Sequence, residues 1–242
     1  MSVLLVADHA SAHVPSDIDL RIPPVWLGEH IAVDLGSAAL TARLQVALDC
    51  HAVVAPVSRL VIDLNREPDR ADLVPDRSDG RVITGNVGLT DAERQRRIDC
   101  YHTPYHNRIA AAVADHRPTL IVSIHSFTPR LASRDVARPW PVGILYNRDA
   151  RAARVAIDWL RAQAFDVGDN QPYSGLDLNY TMNRHAEAAD IPYLGLEVRQ
   201  DELFSDTGIE KWVAILLATI THVHLTLAAD LGQDTDDGGA LP

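Results

Sequence analysis

The chain has 242 residues, 47% of them hydrophobic and 23% charged, with a formal net charge of -11 at pH 7. This length can bury a substantial core and favours one α/β domain, although two small domains are not excluded. The acidic balance argues against nucleic-acid binding, which requires a concentrated basic face. The N-terminal run MSVLLVADHA lacks the marks of a signal peptide, and we see no segment approaching the roughly 20 apolar residues that span a bilayer. We therefore expect a cytoplasmic protein that does not bind membranes.

The first part of the chain alternates between strand and helix patterns. SVLLVA predicts a strand buried on both faces that stops at Asp8 and His9. Helical spacing of apolar residues predicts a helix from about Trp26 to Leu48, and the β-branched run AVVAPVSRLVIDLN predicts a strand after it. Cys50 is one of only two cysteines, too few for a disulfide framework, and we expect both to be core residues.

The middle of the chain contains a loop and a helix. REPDRADLVPDRSDGRVITGNVG is rich in Asp, Pro, Gly and Arg, which favours a long ordered loop of the kind that covers sites. TDAERQRRIDCYHTPYHNRIAAAVADH predicts a helix with Thr90 or Asp91 as N-cap. Pro104 should kink or split this helix.

The remaining segments complete an α/β pattern. Strands are predicted at TLIVSIHSF, WPVGILYN and PYLGLEVRQ, and helices at ARAARVAIDWLRAQ, YTMNRHAEAAD and GIEKWVAILLATITHVHLTLA. The order predicts a single α/β domain over residues 1–229, with a mostly parallel or mixed sheet flanked by helices and a site at the strands' carboxyl ends. The acidic tail, residues 230–242, is expected to be disordered.

Polar residues occur at four predicted strand ends, namely His9, Asn65 with Arg66, His125 and Glu197. Two imidazoles and a carboxylate are the usual ligands of a hydrolytic zinc site, in which a separate Glu moves the proton of water. The chain has no HExxH motif, and each histidine alone is equally consistent with a hydrogen-bonded structural role. The coincidence of all four strand ends favours a site.

The charged residues of two blocks have further interpretations. A carboxylate in a buried strand such as that of Glu197 is costly unless it is paired or functional, and an ion pair with Arg199 is the alternative to a catalytic role. Arg59, Asn65 and Arg66 offer N–H donors suited to binding a small-molecule carboxylate. Salt bridges with the acidic loop that follows are their alternative role.

Several blocks together carry a family resemblance: DHAS, HIAVDLG, SRLVIDLNR, YHTPYH, SIHSFTPR, NRHA and LEVRQD. Their order resembles that of the N-formylglutamate amidohydrolase family, from Leu5 to about Trp212. DLNR and LEVRQ are also similar, more distantly, to blocks of aspartoacylase and the zinc carboxypeptidases, which share a phosphorylase/hydrolase-like α/β fold. The resemblance implies an amidohydrolase with one zinc per chain that removes a formyl or other small acyl group from a small anionic N-acyl amino acid such as N-formyl-L-glutamate.

The resemblance also implies catalytic roles. His9 and His125 resemble the two histidine ligands, and Glu197 resembles the general base that takes a proton from zinc-activated water and returns it to the leaving nitrogen. Arg199 is a candidate for stabilising the oxyanion or, alternatively, for binding the side-chain carboxylate of the substrate.

Substrate-binding roles follow from the same resemblance. Arg59, Asn65 and Arg66 match the donors that hold the substrate carboxylate. A second substrate carboxylate would need another cation, and Arg130 after HSFTP is the candidate.

The third metal ligand is a departure from the carboxypeptidase pattern, which has a Glu three residues after the first His where this chain has Ala12. Asp34 is the predicted replacement, since His30 and Asp34 would lie one turn apart on one helix face. His30 would orient Asp34 or contact substrate. A capping or surface role for Asp34 is nearly as compatible with the pattern. His102 and His106 also have i,i+4 spacing, but a structural or rim role is favoured for them.

Three alternatives stay open at this stage. The enzyme could cleave another N-acyl amino acid or a cell-wall amide on the same fold. The chain could instead be a non-catalytic module that binds anions with its arginines. The residue pattern does not choose zinc over another divalent metal either.

Overall fold

The computed structural model describes residues 2–133 and 136–236, with side chains to residue 230. The strands are β1 (Val3–Ala7), β2 (His51–Val54), β3 (Arg77–Ser78), β4 (Arg81–Val82), β5 (Leu120–Phe127), β6 (Val142–Leu145), β7 (Val167–Asp169) and β8 (Tyr193–Arg199). The helices are α1 (Ser37–Leu48), α2 (Asp91–Arg97), α3 (Thr103–His116), α4 (Arg151–Ala162), α5 (Tyr180–His185) and α6 (Asp206–Asp236).

Six strands form one mixed sheet in the order β2-β1-β5-β8-β6-β7. The four strands β2, β1, β5 and β8 are parallel, whereas β6 runs antiparallel to β8 and parallel to β7. Every residue of β1 and β5 is buried, as continuous apolar runs at the centre of a two-sided sheet require. The predicted α/β class with a mostly parallel or mixed sheet is confirmed.

Helices cover both faces of the sheet. On one face α1, α4 and α6 pack together and contribute Leu44, Ile157 and Leu216 to a core that contains Leu5 of β1. On the other face α3, α5 and the segment 55–64 form a second core, to which Ile109 belongs. Burial on both faces holds the central strands rigidly, so side chains at their carboxyl ends have fixed positions.

The first helix begins later than the sequence pattern predicts. It starts at Ser37, and residues 24–36 form a short 3₁₀ turn followed by further turns. Gly36 has a φ of +82°, and a Cβ there would lie 2.5 Å from Leu203, so glycine is required. Ile31 is buried in the core without being helical, which explains why the apolar spacing resembled a helix.

The segment SRLVIDLNR is a series of turns and not the end of a strand. β2 stops at Val54, and the residues from Leu60 to Ile62 are all fully buried instead of alternating between two faces. The Ser58 hydroxyl donates to the Ala32 carbonyl, which fastens the segment to the turns before α1. The strand prediction here is wrong because burial by tertiary contacts on all sides produces an apolar run without a sheet.

Other local predictions have mixed outcomes. Thr90 is the N-cap of α2 and accepts from the Glu93 amide, as predicted. A π-helical turn, Ile98–His102, separates α2 from α3 just before Pro104. Cys50 is half-buried but Cys100 is exposed, so the expectation of two core cysteines is wrong for Cys100.

The C-terminal helix is longer and more apolar than expected. α6 runs to Asp236 and thus enters the segment 230–242, whose remaining residues 237–242 lie outside the described part of the chain. Its portion Asp206–Asp230 has a mean hydropathy of 1.7 and is long enough to cross a membrane by length and composition, contrary to expectation. A core helix passes the same test, and Trp212 and Ile220 are buried against the sheet.

Candidate active site

Three metal-ligating side chains meet at the carboxyl edge of the sheet. His9 follows β1, His125 lies near the end of β5, and Asp34 occupies the turn before α1, where its amide donates to the His9 carbonyl at 2.9 Å. Their donor atoms all lie within 4.8 Å of one another, and the three residues are buried. Asp34 therefore lies where the sequence analysis expected a ligand, but a backbone hydrogen bond and not a shared helix face puts it there.

Each histidine has a second carboxylate behind it. His9 Nε2 lies 2.7 Å from Asp63 Oδ1, and its Nδ1 lies 3.6 Å from Asp34 Oδ2. His125 Nδ1 lies 2.9 Å from Asp34 Oδ2, and its Nε2 lies 3.4 Å from Asp8 Oδ2. A carboxylate that accepts the outer N–H fixes the tautomer and leaves Nδ1 as the inward-facing donor atom of each ring.

The carboxylates determine the charge state of this group. Burial alone would lower the pKa of His125, but hydrogen bonds with Asp34 and Asp8 raise that pKa well above its ordinary value. Burial would raise the pKa of Asp34, but the charges of His9 and His125 lower it. The pKa of Asp63 is likewise held well below its ordinary range, against burial, by the charges of His9 and Arg59. The carboxylates therefore favour positive charge on or between the two histidine rings.

Glu197 lies beside this group and has an unused acceptor. It is the direct partner of His125 in the parallel β5–β8 register and is only 6% exposed. Its Oε2 is buried and has no hydrogen-bond partner among the described residues. Burial raises the pKa of Glu197 to about 7, and the Asp34 charge adds to the increase while the His125 charge opposes it. A carboxylate with this pKa can accept and return a proton near neutral pH.

The residues fit a divalent metal ion. Two neutral imidazole nitrogens and one carboxylate are the protein ligands of many catalytic zinc sites, which keep a further position for water or substrate. The carboxylates behind His9 and His125 complete the arrangement that metal-binding histidines usually have. Glu197 Oε2, which has no hydrogen-bond partner among the described residues, is a buried polar atom whose cost a metal-bound water would reduce.

A cavity of about 370 Å³ opens in front of the group. Its walls include Arg59, Asn65, Arg66 and His30, all of which the sequence analysis assigned to substrate binding. The long loop predicted after Arg66 does form part of the wall, although it contains the short β3–β4 hairpin. The cavity is large enough for a small N-acyl amino acid.

Arg59 has protein partners for its terminal nitrogens. Nη1 donates to Asp34 Oδ1 at 3.3 Å and Nη2 donates to Asp63 Oδ2 at 3.0 Å. Arg59 therefore links the metal-ligating carboxylate to the one that orients His9. Arg59 was expected to bind substrate or to pair with the acidic loop after it, and the structure gives it this orienting role instead of a pair with that loop.

Asn65 and Arg66 are presented by a turn that is fixed from behind. The Asn65 Oδ1 accepts from the Thr181 amide at 2.9 Å, and Arg66 Nε donates to Asp72 at 3.3 Å. His102 Nε2 bonds the Arg66 carbonyl at 3.0 Å, and His106 Nε2 bonds the Leu64 carbonyl at 2.9 Å. The YHTPYH histidines thus hold the main chain on either side of Asn65, consistent with the structural role favoured from sequence.

Two predicted site residues lie elsewhere. Arg199 does not line the cavity, because its Nε donates to Asp201 at 2.7 Å and its Nη1 donates to the Pro139 carbonyl. Arg130 is exposed and is also absent from the cavity wall. Both residues therefore stand outside the cavity wall, Arg199 at the last position of β8 and Arg130 in the segment after β5.

His30 lies in the cavity wall but not next to Asp34. Its Nε2 bonds Asp79 at 2.9 Å, so the predicted pairing of His30 with Asp34 on one helix face is wrong. Asp79 also accepts from the amides of Ala132 and Ser133. This carboxylate therefore joins three segments of the cavity mouth.

Sequence reasoning missed several site residues. Asp8 and Asp63 adjoin recognised residues in ADHA and IDLNR, so their position in those blocks was a usable signal. Tyr173 lines the cavity with its hydroxyl bonded to Arg138 Nη1 at 3.1 Å and its ring under the Arg138 guanidinium. Nothing in the local sequence around Tyr173 indicates this, because its loop reaches the site only through folding.

Fold and site together define a hydrolase of the α/β type with a group of side chains that could hold a metal. The sequence matches the family description N-formylglutamate amidohydrolase over residues 1–204. The chain belongs to the N-formylglutamate amidohydrolase family and is a hydrolase acting on amide bonds.

Solved structures agree on the fold. A gene product of Agrobacterium tumefaciens is 29% identical, with a TM-score of 0.89 over 94% of this chain and 92% of that chain. An N-formylglutamate amidohydrolase from Ralstonia eutropha JMP134 is 18% identical, with a TM-score of 0.70 over 96% of this chain and 95% of that chain. A search of curated proteins finds no match.

Proposed function

We propose that the protein is a zinc-dependent cytoplasmic amidohydrolase that removes the formyl group of N-formyl-L-glutamate or a closely related anionic N-acyl amino acid. The observation that carries the proposal is the buried Glu197 Oε2, which has no hydrogen-bond partner in the described part of the chain and lies next to the buried group of His9, Asp34 and His125. A module that only binds anions needs no such acceptor, and burying one costs free energy.

His9, Asp34 and His125 would hold the metal. A bound zinc ion would lower the pKa of water and polarise the formyl carbonyl. Glu197 accepts the proton of the attacking water and returns it to the leaving nitrogen, which its pKa near 7 permits in both directions. Asp63 and Asp8 keep the two imidazoles in the required tautomers, and burial of the site excludes bulk water from the proton transfer.

The substrate carboxylate would bind at Asn65 and Arg66. Arg66 is 13% exposed and its protein partner Asp72 is 48% exposed, so a substrate carboxylate can replace Asp72 at little cost. The Asn65 side chain is oriented by its bond to Thr181. With the α-carboxylate held there, the amide bond faces the sheet edge where Glu197 lies.

The test combines metal analysis with a formate-release assay on N-formyl-L-glutamate. We expect about one zinc per chain and chelator-sensitive formate release. Glu197→Gln should retain the metal but lose at least about 10³-fold in kcat. Glu210→Gln, an exposed glutamate paired with Arg43, is the matched control and should keep full activity.

The outcomes separate the alternatives. Zinc without formate release would reject the formyl substrate and favour another N-acyl amino acid on the same site. A Glu197→Gln protein that keeps most of its activity would remove the proton-transfer role. Absence of both metal and activity after zinc is added back would leave an anion-binding module.

A further inference from the structure

One basic residue of the cavity has no carboxylate partner among the residues that the structure describes. Besides the metal-ligating His9 and His125, the basic residues that line the wall are His30, Arg59, Arg66 and Arg77. The first three pair with carboxylates of the protein. Arg77 instead donates from Nη1 to the Gly80 carbonyl at 3.3 Å, and within the described ranges it forms no ion pair.

The hairpin that carries Arg77 is anchored at the cavity mouth. β3 and β4 pair Arg77 with Val82, and the turn between them contains Asp79 and Gly80, both with positive φ. Asp79 accepts from His30 Nε2 at 2.9 Å and from two amides of the segment 131–133 at 2.8 Å each. These bonds fix the hairpin against two other parts of the wall, so Arg77 has a defined place at the rim.

The acidic charge of the cavity wall makes Arg77 important for binding a substrate with two carboxylates. Five carboxylates line the cavity: Asp34, Asp63, Asp72, Asp79 and Glu197. A substrate with one carboxylate can be held at Arg66, but a second carboxylate would meet a wall with an excess of acidic groups. The repulsion between like charges is offset when a cation faces the added carboxylate. Arg77 is the cation available to face it.

We propose that Arg77 binds the side-chain carboxylate of the substrate and so selects acidic N-acyl amino acids over neutral ones of the same size. The inference rests on the proposed function and deepens it. It replaces Arg130 in the role that the sequence analysis gave that residue. A guanidinium can bind a carboxylate with two parallel hydrogen bonds, which favours the charged group over an amide.

The test compares N-formyl-L-glutamate with N-formyl-L-glutamine, which differ only in the charge and hydrogen bonding of the side-chain end. Calorimetric binding uses zinc-loaded Glu197→Gln protein, in which turnover does not interfere. Adding Arg77→Gln should weaken N-formyl-L-glutamate binding by about tenfold and N-formyl-L-glutamine binding by less than about twofold. Arg77→Lys should restore part of the preference, because it restores the charge but not the paired geometry.

Arg81→Gln is the matched control on the same hairpin. Arg81 pairs with Glu29 at 2.7 Å and does not line the cavity, so its replacement should leave both affinities unchanged. If Arg81→Gln reproduces the loss, hairpin stability and not the Arg77 contact sets the preference, and the proposal is overturned. Equal weakening of the two ligands by Arg77→Gln, or no weakening, also overturns it, as does a Glu197→Gln protein that binds neither ligand.

Formate release, measured in protein that keeps Glu197, gives an independent result. The ratio of kcat/KM for the two substrates should fall by about tenfold in Arg77→Gln, through N-formyl-L-glutamate alone. If the zinc-loaded wild-type protein releases no formate from either compound, the proposed function fails. The binding ratio then still decides whether Arg77 recognises the side-chain carboxylate.

Discussion

Two buried histidine clusters in this protein have opposite electrostatics. The anionic cluster is formed by His9 and His125 with Asp8, Asp34 and Asp63, and its ring nitrogens face carboxylates. Those carboxylates outweigh burial and raise the pKa values of both histidines.

The neutral cluster is formed by His102, His106 and His185. His106 Nε2 faces the Leu64 carbonyl, which can only accept, so Nε2 carries the hydrogen and Nδ1 accepts from His185 Nε2 at 2.9 Å. Burial lowers the pKa of His106 to about 3 and that of His185 to about 4.

The difference shows that the partner atom, and not burial, determines what a buried histidine can do. Carboxylates behind His9 and His125 leave one nitrogen of each ring directed at a shared centre. Both nitrogens of His106 are used by protein partners, so this ring supports the main chain beside Asn65 and has no donor atom for a metal. The same residue type thus serves binding in one cluster and scaffolding in the other.

The largest expected effect separates the clusters by metal content. His125→Asn should lose the bound zinc and at least about 10³-fold in kcat/KM, because a ligand is removed. His106→Phe should retain stoichiometric zinc. Metal analysis of both purified variants checks this, and a His106 variant that loses its metal would contradict the assignment of the two clusters.

The next effect is on stability. His106→Phe removes the hydrogen bonds to the Leu64 carbonyl and to His185, leaving that carbonyl only a long 3.5 Å bond from the Thr181 hydroxyl, and should lower the free energy of unfolding by about 2–4 kcal/mol. Urea denaturation measures the change. His116→Gln, an exposed histidine of the same helix, is the control and should change it by less than about 0.5 kcal/mol. A similar loss in both variants would mean that the buried bonds contribute nothing specific.

Removing a carboxylate that orients a metal-binding histidine should have a smaller effect, which falls on the affinity for zinc. Asp63→Asn removes the charge that orients His9 and should weaken zinc binding by about 10–100-fold. Competition with a chelator of known affinity measures this. Asp72→Asn, an exposed carboxylate nine residues further along, is the control, and unchanged zinc affinity in Asp63→Asn would show that His9 needs no orienting carboxylate.

The smallest effect is a pH dependence. The folded pKa of His106 lies below the unfolded value near 6.5, so the unfolded chain binds more protons between about pH 3 and 6.5. The stability that neutral His106 provides is complete above about pH 6.5 and is lost as the pH falls. The stability gap between wild type and His106→Phe should therefore narrow by up to about 1.4 kcal/mol per pH unit. A gap that stays constant between pH 5 and 7 would show that His106 is not held neutral.

Much of the frame could be predicted from the sequence. Continuous apolar runs identified β1, β5 and β8, and the residues at or after their carboxyl ends, His9, His125 and Glu197, do meet in the structure. The pattern of apolar residues indicates which side chains are buried. A strand that is buried on both faces usually lies at the centre of a parallel sheet. The resemblance in DLNR and EVRQD added the family, which the match over residues 1–204 confirms.

Where one apolar pattern fits several structures, the sequence-based predictions are wrong. Ile31 and Ile62 are buried in turns, although their spacing suggested a helix and a strand. Arg199 ends β8 with its side chain bonded to Asp201, and Arg130 lies after β5, so neither lines the cavity. A pattern of burial does not specify the path of the backbone once it leaves regular structure.

The amino-acid sequence was enough to identify the α/β class, the central strands and the side chains delivered to their ends, because hydrophobic periodicity is a local property. Folding in three dimensions sets which carboxylate stands behind each histidine and which arginine reaches the cavity. Asp63 lies 54 residues from His9 along the chain, and the metal-ligating Asp34 lies 91 residues from His125. Contacts over such separations depend on how loops pack against the sheet, and no local pattern encodes them.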